Sequence, residues 1–477
     1  MSPLETEVAE PGLSLDIGRD EALSSAVAIV SDAWRGFDHF RVGQPPVDEK
    51  LRELLQRPLP ERGTPTPEAI ADAAVALDES IAQPRPRYFA FIGSSGLEIG
   101  VIADALASCY DVNLAVWAGA ASEVEVQAVR WAGELVGFPA EAGSFTSGGT
   151  VSNLTALTAA RERALPGARH DGVSGRRLAL YCSAEVHYSV VRAAELLGIG
   201  SSWVRALPID GRRRLRPEAV EAAIDADRGA GIVPVAVVAT AGTTLTGAVD
   251  PIDALADVCA GRDVWLHVDG AYGLPAARSP SAASLFRGLE RADSATIDAH
   301  KWLYLPKACG IVLVRRRSDL EFALGHEGGY LPHDREELHA ADLTLEYSRP
   351  FRALKLWLAL RVHGAEAFRS AIERNLAQAR LLYRSISDAK DLEPLPHEPQ
   401  LSVVPFRHVP AGVTDLDAHN LELVRRLQEG GEFWVAHAHI DGRIYVRPCL
   451  VNFRTTDEDV LAFVDHAERV GREIEGE

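Results

Sequence analysis

The sequence predicts an α/β protein: a large, mainly parallel sheet covered by helices on both faces, an N-terminal helical segment, and a small C-terminal α+β domain. Three observations predict it. From about residue 100 onward, short β-branched apolar runs recur without polar alternation, as expected of strands buried on both faces. Ala- and Leu-rich helical segments separate these runs, and crossovers of that kind join parallel neighbours. The chain has 477 residues, 47% of them apolar and 25% charged, which is enough for a large core without disulfides or metals.

The elements follow in order. The first sixty or so residues carry helical patterning, as in DEALSSAVAIVSDAWRGF, and then a Pro-rich break at 57–68. Such a piece has little of its own to bury, so it is expected to pack on the rest of the chain or on a second subunit. The candidate strands are LALYCS (178–183), VPVAVVAT (233–240), VWLHVD (264–269), SATID (294–298) and GIVLVRR (310–316). Between them lie helical segments such as SVVRAAELLGI, PEAVEAAIDADR and PIDALADVCAG. After RALKLWLALRVHG a long helical stretch (365–388) leads into LEPLPHEP and the last unit. The expected divisions are a helical segment 1–84, a large domain 85–364 and a small domain 365–477. No internal repeat or low-complexity tract interrupts them.

Charge and composition exclude several classes. With 49 basic and 68 acidic residues the net charge is −19, a surface that repels phosphate backbones, so no nucleic acid is expected as a partner. No run approaches the ~20 apolar residues of a membrane span, and MSPLETEVAEPG lacks the basic-then-apolar order of a signal peptide. The five cysteines, Cys109, Cys182, Cys259, Cys309 and Cys449, are scattered and read as reduced thiols of a cytoplasmic protein. His437 and His439 in HAHI sit at alternate strand positions with no Cys or carboxylate cluster nearby, so they read as structural and no metal is expected. Only five lysines exist, Lys50, Lys301, Lys307, Lys355 and Lys390. Any mechanism that needs a lysine has five candidates.

In an open parallel sheet, ligands bind where the loops leave the C-terminal ends of the strands. SFTSGGTVSN places Ser147, Gly148, Gly149 and Thr150 at the start of a helix, where small residues and the helix dipole favour an anion. Alone this is a plain turn more often than a site, and GxxxxGK[ST] is absent. His187 follows one strand and Thr243 and Thr244 follow another; each by itself reads as a cap, a core residue or a turn. Asp269 ends the strongly apolar VWLHVD and precedes Gly270 and Ala271, and a carboxylate there needs a partner. Lys301 follows Asp298 closely in SATIDAHKW, between His300 and Trp302. That setting is no solvated surface, and burial is expected to lower the lysine pKa and free its amine. An anion cradle, a flat ring, a strand-end carboxylate and a desolvated lysine together suit pyridoxal 5'-phosphate.

The stretches PRYFAF, TSGGTVSNL, EVHYSVVRAA, TAGTTLTGAVDPI, WLHVDGAYG, DAHKWLY and RPFRALKLW, in this order, resemble the pyridoxal-phosphate-dependent group II amino-acid decarboxylases, the family of aromatic-amino-acid, histidine and glutamate decarboxylases. The resemblance runs from about residue 85 to the C-terminus. It implies fold type I of the aspartate-aminotransferase kind and a homodimer whose two subunits line each active site. It also implies an amino-acid-type substrate that loses its Cα carboxylate. Carried over, Lys301 bonds the cofactor's aldehyde, Asp269 pairs with its ring nitrogen, His187 stacks on the ring and Ala271 packs on the other face. Ser147, Gly149 and Thr150 hold the phosphate with His300, and Thr244 lies near the ring or the substrate carboxylate. Phe91, Ser94 and Asn113 fall in substrate-lining stretches, and Arg447 matches the arginine that contacts the substrate carboxylate in glutamate decarboxylases.

The chain departs from the family at three places. Ala299 replaces a proline before His-Lys. Ala115 and Asn113 stand where aromatic-amino-acid decarboxylases carry an aromatic and an aliphatic residue, so a wider, more polar pocket is expected, against a small aromatic substrate. Ala340 stands where the family's mobile loop carries a tyrosine that protonates Cα; Tyr330, Tyr347 and His339 are the nearby substitutes. Decarboxylation giving an amine is therefore the leading expectation. Decarboxylation coupled to oxidative deamination by O2, giving an aldehyde, is the alternative. Aminotransfer or β-elimination on the same fold comes third. A catalytically silent scaffold would not need Lys301, Asp269 and His187 together, and a nicotinamide dehydrogenase would need GxGxxG after an early strand.

Overall fold

A computed structural model describes residues 13, 15–38, 47–93, 95–173, 175–326 and 340–475. Seven strands form the large sheet: β1 (Ala142–Thr146), β2 (Leu178–Ser183), β3 (Val204–Leu207), β4 (Val233–Thr240), β5 (Trp265–Asp269), β6 (Ser294–Asp298) and β7 (Gly310–Val314). Their order is β1-β7-β6-β5-β4-β2-β3. From β6 across to β3 all neighbours are parallel, while β7 runs antiparallel to both β6 and β1. No helix lies between β6 and β7, and a connection that short returns the chain antiparallel.

All five expected strands form. Two more, β1 and β3, were not anticipated. β1 reads AGSFT, with no β-branched run, and β3 reads VRAL at the far edge. Alternate residues of β4 feed two cores: Val237 and Ala239 enter one, Ala236 and Val238 the other. The helix Gly149–Ala164 packs across β4, β5, β6 and β7, so its N-terminus lies among the strand ends.

The small antiparallel sheet holds β8 (Leu392–Pro394), β9 (Phe406–His408), β10 (Ala436–Ile440) and β11 (Arg443–Arg447), in the order β10-β11-β9-β8. Its core is built from Phe406, Phe433, Phe463 and Val446, and it takes in Phe89 from the chain ahead of the large sheet. The Phe89 N–H donates to the Trp434 carbonyl at 2.7 Å. Helix Ala353–Asp388 spans both units and breaks at Gly364, whose φ of 73° is open to glycine at little cost. Among the described residues no helix is long and apolar enough to cross a membrane.

Candidate active site

Loops after β1, β2, β4, β5 and β6 converge on one cavity of about 360 Å³. Nine of the thirteen residues singled out from the sequence line it: Ser147, Gly149, Thr150, His187, Thr244, Asp269, Ala271, His300 and Lys301. Gly149 opens the helix after β1. A Cβ there would stand 3.0 Å from Asp298 Oδ2 and 3.1 Å from the Ala271 methyl, so the cradle needs a residue with no side chain. Helix-end N–H groups without an intrahelical partner sit at its floor.

His187 caps the helix Tyr188–Leu196: its Nδ1 accepts from the Ser189 N–H at 3.3 Å. Burial pushes its pKa down, while Asp269 pulls it up. Asp269, at the end of β5, is held from both oxygens. Oδ1 accepts from the Ala271 N–H at 3.2 Å and Oδ2 from Asn153 Nδ2 at 2.9 Å. His300 Nδ1 accepts from the Cys309 N–H at 3.1 Å, which leaves Nε2 as the site of the proton on the neutral ring. Burial, above all, lowers its pKa.

Lys301 corrects the expectation of a depressed pKa. Burial does push the amine down, but its Nζ lies 2.8 Å from Asp298 Oδ2. That ion pair and hydrogen bond, with Asp269 beyond, outweigh burial and leave the pKa raised. Asp298 is nearly inaccessible, and its Oδ1 has no hydrogen-bond partner. The sequence showed the partner without its consequence, because Asp298 ends β6 much as Asp269 ends β5.

The remaining residues lie apart. Ser94 falls outside the described residues. Phe91 is exposed, next to the cavity-lining Ile92. Asn113 spends its carboxamide on the neighbouring loop: Oδ1 accepts from the Ala115 and Arg349 N–H groups, and Nδ2 donates to Ser348 Oγ at 3.3 Å. Arg447 is buried one contact away, its Nη1 donating to the Thr244 carbonyl at 2.9 Å. Ala340 lines a separate groove with Glu125 and Arg349. Tyr330 and His339 lie outside the described residues, and Tyr347 is half exposed. Asn153, Tyr188, Ser189 and Tyr272 also line the cavity and were not picked out from the sequence. Asn153 stands one helical turn after Gly149, a spacing that puts both on one face; this was the available signal.

The residues fit pyridoxal phosphate on their own chemistry. They offer a glycine-floored helix end for an anion, one amine reaching the cavity and a fixed carboxylate across from it. Comparisons with known proteins agree. Residues 48–409 match the model of the pyridoxal-dependent decarboxylase conserved domain. The chain is 33% identical over 460 residues to an aromatic-L-amino-acid decarboxylase of Bacillus atrophaeus, covering 94% of each chain. It is 34% identical to an L-2,4-diaminobutyrate decarboxylase of Rhizobium meliloti, covering 89% of this chain and 86% of that one. The crystal structure of Oryza sativa TDC with PLP and tryptamine superposes with a TM-score of 0.89 at 28% identity, covering 97% of this chain and 99% of that one. The chain belongs to the pyridoxal-dependent decarboxylase family. It is an enzyme of fold type I that uses pyridoxal 5'-phosphate to decarboxylate an amino acid.

Proposed function

We propose that Lys301 is the residue that bonds the cofactor, and that the cavity around it carries out α-decarboxylation with the roles divided as follows. Ser147, Gly149 and Thr150 hold the phosphate at the helix end, with His300 Nε2–H as a further donor. Asp269 holds a proton at the ring nitrogen by a charge-assisted hydrogen bond, and His187 and Ala271 cover the two ring faces. When bound, the cofactor supplies an electron sink for the pair left on Cα as CO2 departs. Arg447, reached through Thr244, takes the substrate carboxylate. Asp298 holds Lys301 as the ammonium and would take its proton, freeing the amine to bond the cofactor's aldehyde. The observation that carries this reading is the 2.8 Å pair between Lys301 and Asp298, set beside Asp269 in one cavity.

The enzyme is read further as a homodimer in which each subunit completes the other's site. The exposed Phe91 beside the cavity and the polar Asn113 outside it support that reading. Ala340 supports a second outcome, because an alanine offers no proton to Cα. A general acid must come within about 2.6–3.2 Å of its target; without one, O2 competes for the electron pair, and an aldehyde, ammonia and hydrogen peroxide replace the amine. A panel of L-amino acids, with amine, aldehyde and O2 uptake measured together, tests both outcomes. Stoichiometric amine without O2 uptake is the expected result and removes the oxidative one. A keto acid formed without CO2 overturns decarboxylation altogether.

A further inference from the structure

Buried polar side chains that play no part in the roles above form an unbroken hydrogen-bond chain to Asp269. Trp265 Nε1–H donates to Ser294 Oγ at 2.8 Å. Ser294 Oγ lies 2.8 Å from His267 Nδ1, and His267 Nε2 lies 3.0 Å from Asn153 Oδ1. The Asn153 carboxamide then donates twice, to Asp269 Oδ2 at 2.9 Å and to Ser189 Oγ at 3.0 Å. Ser189 Oγ lies 2.8 Å from His187 Nδ1. Trp265, Ser294, His267, Asn153 and Ser189 are each no more than 1% exposed. At that depth a lost partner cannot be replaced by bulk water.

The direction of the chain is set at the Asp269 end, and the Trp265 end agrees with it. An indole N–H only donates, so Ser294 accepts there, and His267 Nδ1 is the acceptor within reach of its own hydrogen among the described residues. The hydrogen of His267 then sits on Nε2 and points to Asn153 Oδ1. At the other end an ionised carboxylate only accepts, so the NH2 of Asn153 must face Asp269. Burial keeps His267 neutral, pushing its pKa down to about 4 although Asp269 pulls it up. On the second branch, His187 Nδ1 already accepts from the Ser189 N–H at 3.3 Å. Ser189 Oγ therefore donates to it, and the neutral His187 carries its hydrogen on Nε2.

We propose that Asn153 is a positioning residue that fixes both the Asp269 carboxylate and the His187 imidazole, and that its own orientation is dictated by Trp265, Ser294 and His267. A carboxamide is nearly symmetrical in shape and can turn over. Turned, Asn153 would aim an oxygen at Asp269 and repel it. The turn would also drive the His267 hydrogen onto Nδ1 and take that acceptor away from the buried Ser294 hydroxyl. The inference rests on the assignment of Asp269 to the ring nitrogen.

Asn153→Asp keeps the size and replaces the donor with an oxygen. Two carboxylates would then stand at hydrogen-bond distance, where like charges cannot both persist, and Asp269 would lose part of its charge. The holoenzyme is expected to release cofactor about ten- to a hundredfold faster on dilution, the scale of one lost hydrogen bond to a charged group. His267 supplies the control for a merely structural role. His267→Gln can still donate to Asn153 and accept from Ser294, whereas His267→Phe fills the space and does neither. Glutamine should retain the cofactor as the wild type does, and phenylalanine should lose it as Asn153→Asp does. If Asn153→Asp fails to fold, the His267 pair decides alone. Equal behaviour of the two His267 variants overturns the proposal, as does wild-type cofactor release from Asn153→Asp. Asp269→Asn is measured alongside. If it too keeps its cofactor, the role of Asp269 falls and the relay with it; if it loses cofactor while Asn153→Asp does not, only the relay falls.

Discussion

Asp269 and Asp298 end neighbouring parallel strands, both buried, both followed by a small residue, and they do opposite work. Asp269 is surrounded by neutral donors, the Ala271 N–H and the Asn153 carboxamide. These steady its charge without cancelling it, so the charge remains available to a ligand. Asp298 faces the Lys301 ammonium at 2.8 Å, and its charge is already matched. One strand end keeps a charge for the cofactor; the other holds the amine in its protonated form. The difference lies in what packs against each strand end, not in the strand itself.

The comparison breaks most severely at Asp269. Asp269→Asn keeps the shape and hydrogen-bonding capacity but removes the charge, so turnover should fall by roughly 10²–10³-fold, the scale of one preorganised group lost from a site. The fold should survive, with circular dichroism and Tm close to the wild type. Near-normal turnover with full cofactor would show that the two carboxylates do not differ as described.

Asp298→Asn sharpens the other half. With its ion pair gone, burial acts on Lys301 against only the weaker pull of Asp269 and Tyr188, and the raised pKa falls. Each unit of fall makes the free amine tenfold more abundant below the pKa. Capture of pyridoxal phosphate by the apoenzyme, followed by visible absorbance, should therefore extend to lower pH in the variant. The linkage has the matching sign. A raised lysine pKa contributes stability that is present at neutral pH and lost as pH rises through the folded-state value. The variant should thus lose stability at neutral pH relative to the wild type and differ less above that value.

The sequence made much of this legible, and the limits have physical causes. β2 and β4 read directly because buried parallel strands are nearly continuous apolar runs. β1 did not, since small residues such as those of AGSFT carry no β-branched signature. The reversed direction of β7 follows from a short connection whose meaning depends on what it joins. Among site residues, strand-end and helix-start positions such as Asp269 and Gly149 were visible from local pattern. Asn153 was not, because its importance comes from His267, Ser189 and Asp269, which are far away in sequence.

A smaller effect tests the cradle shared by the two strand ends. Gly149→Ala would push a methyl to 3.0 Å from Asp298 Oδ2 and 3.1 Å from Ala271 Cβ. Those neighbours have to yield by a few tenths of an ångström, so cofactor affinity should fall by about tenfold, with little change in Tm. Equilibrium dialysis with pyridoxal phosphate and with unphosphorylated pyridoxal should show the loss mainly for the phosphate.

The central claim is that one amine, Lys301, holds the cofactor between these two carboxylates. Two other lysines are already engaged: the buried Lys355 with Asp104 and the Ala308 carbonyl, and the exposed Lys307 with Gln83. Borohydride reduction of the holoenzyme followed by peptide mapping locates the link directly. The account predicts the pyridoxyl group on Lys301 alone, within DAHKW. A label on Lys307 or Lys355 would contradict it.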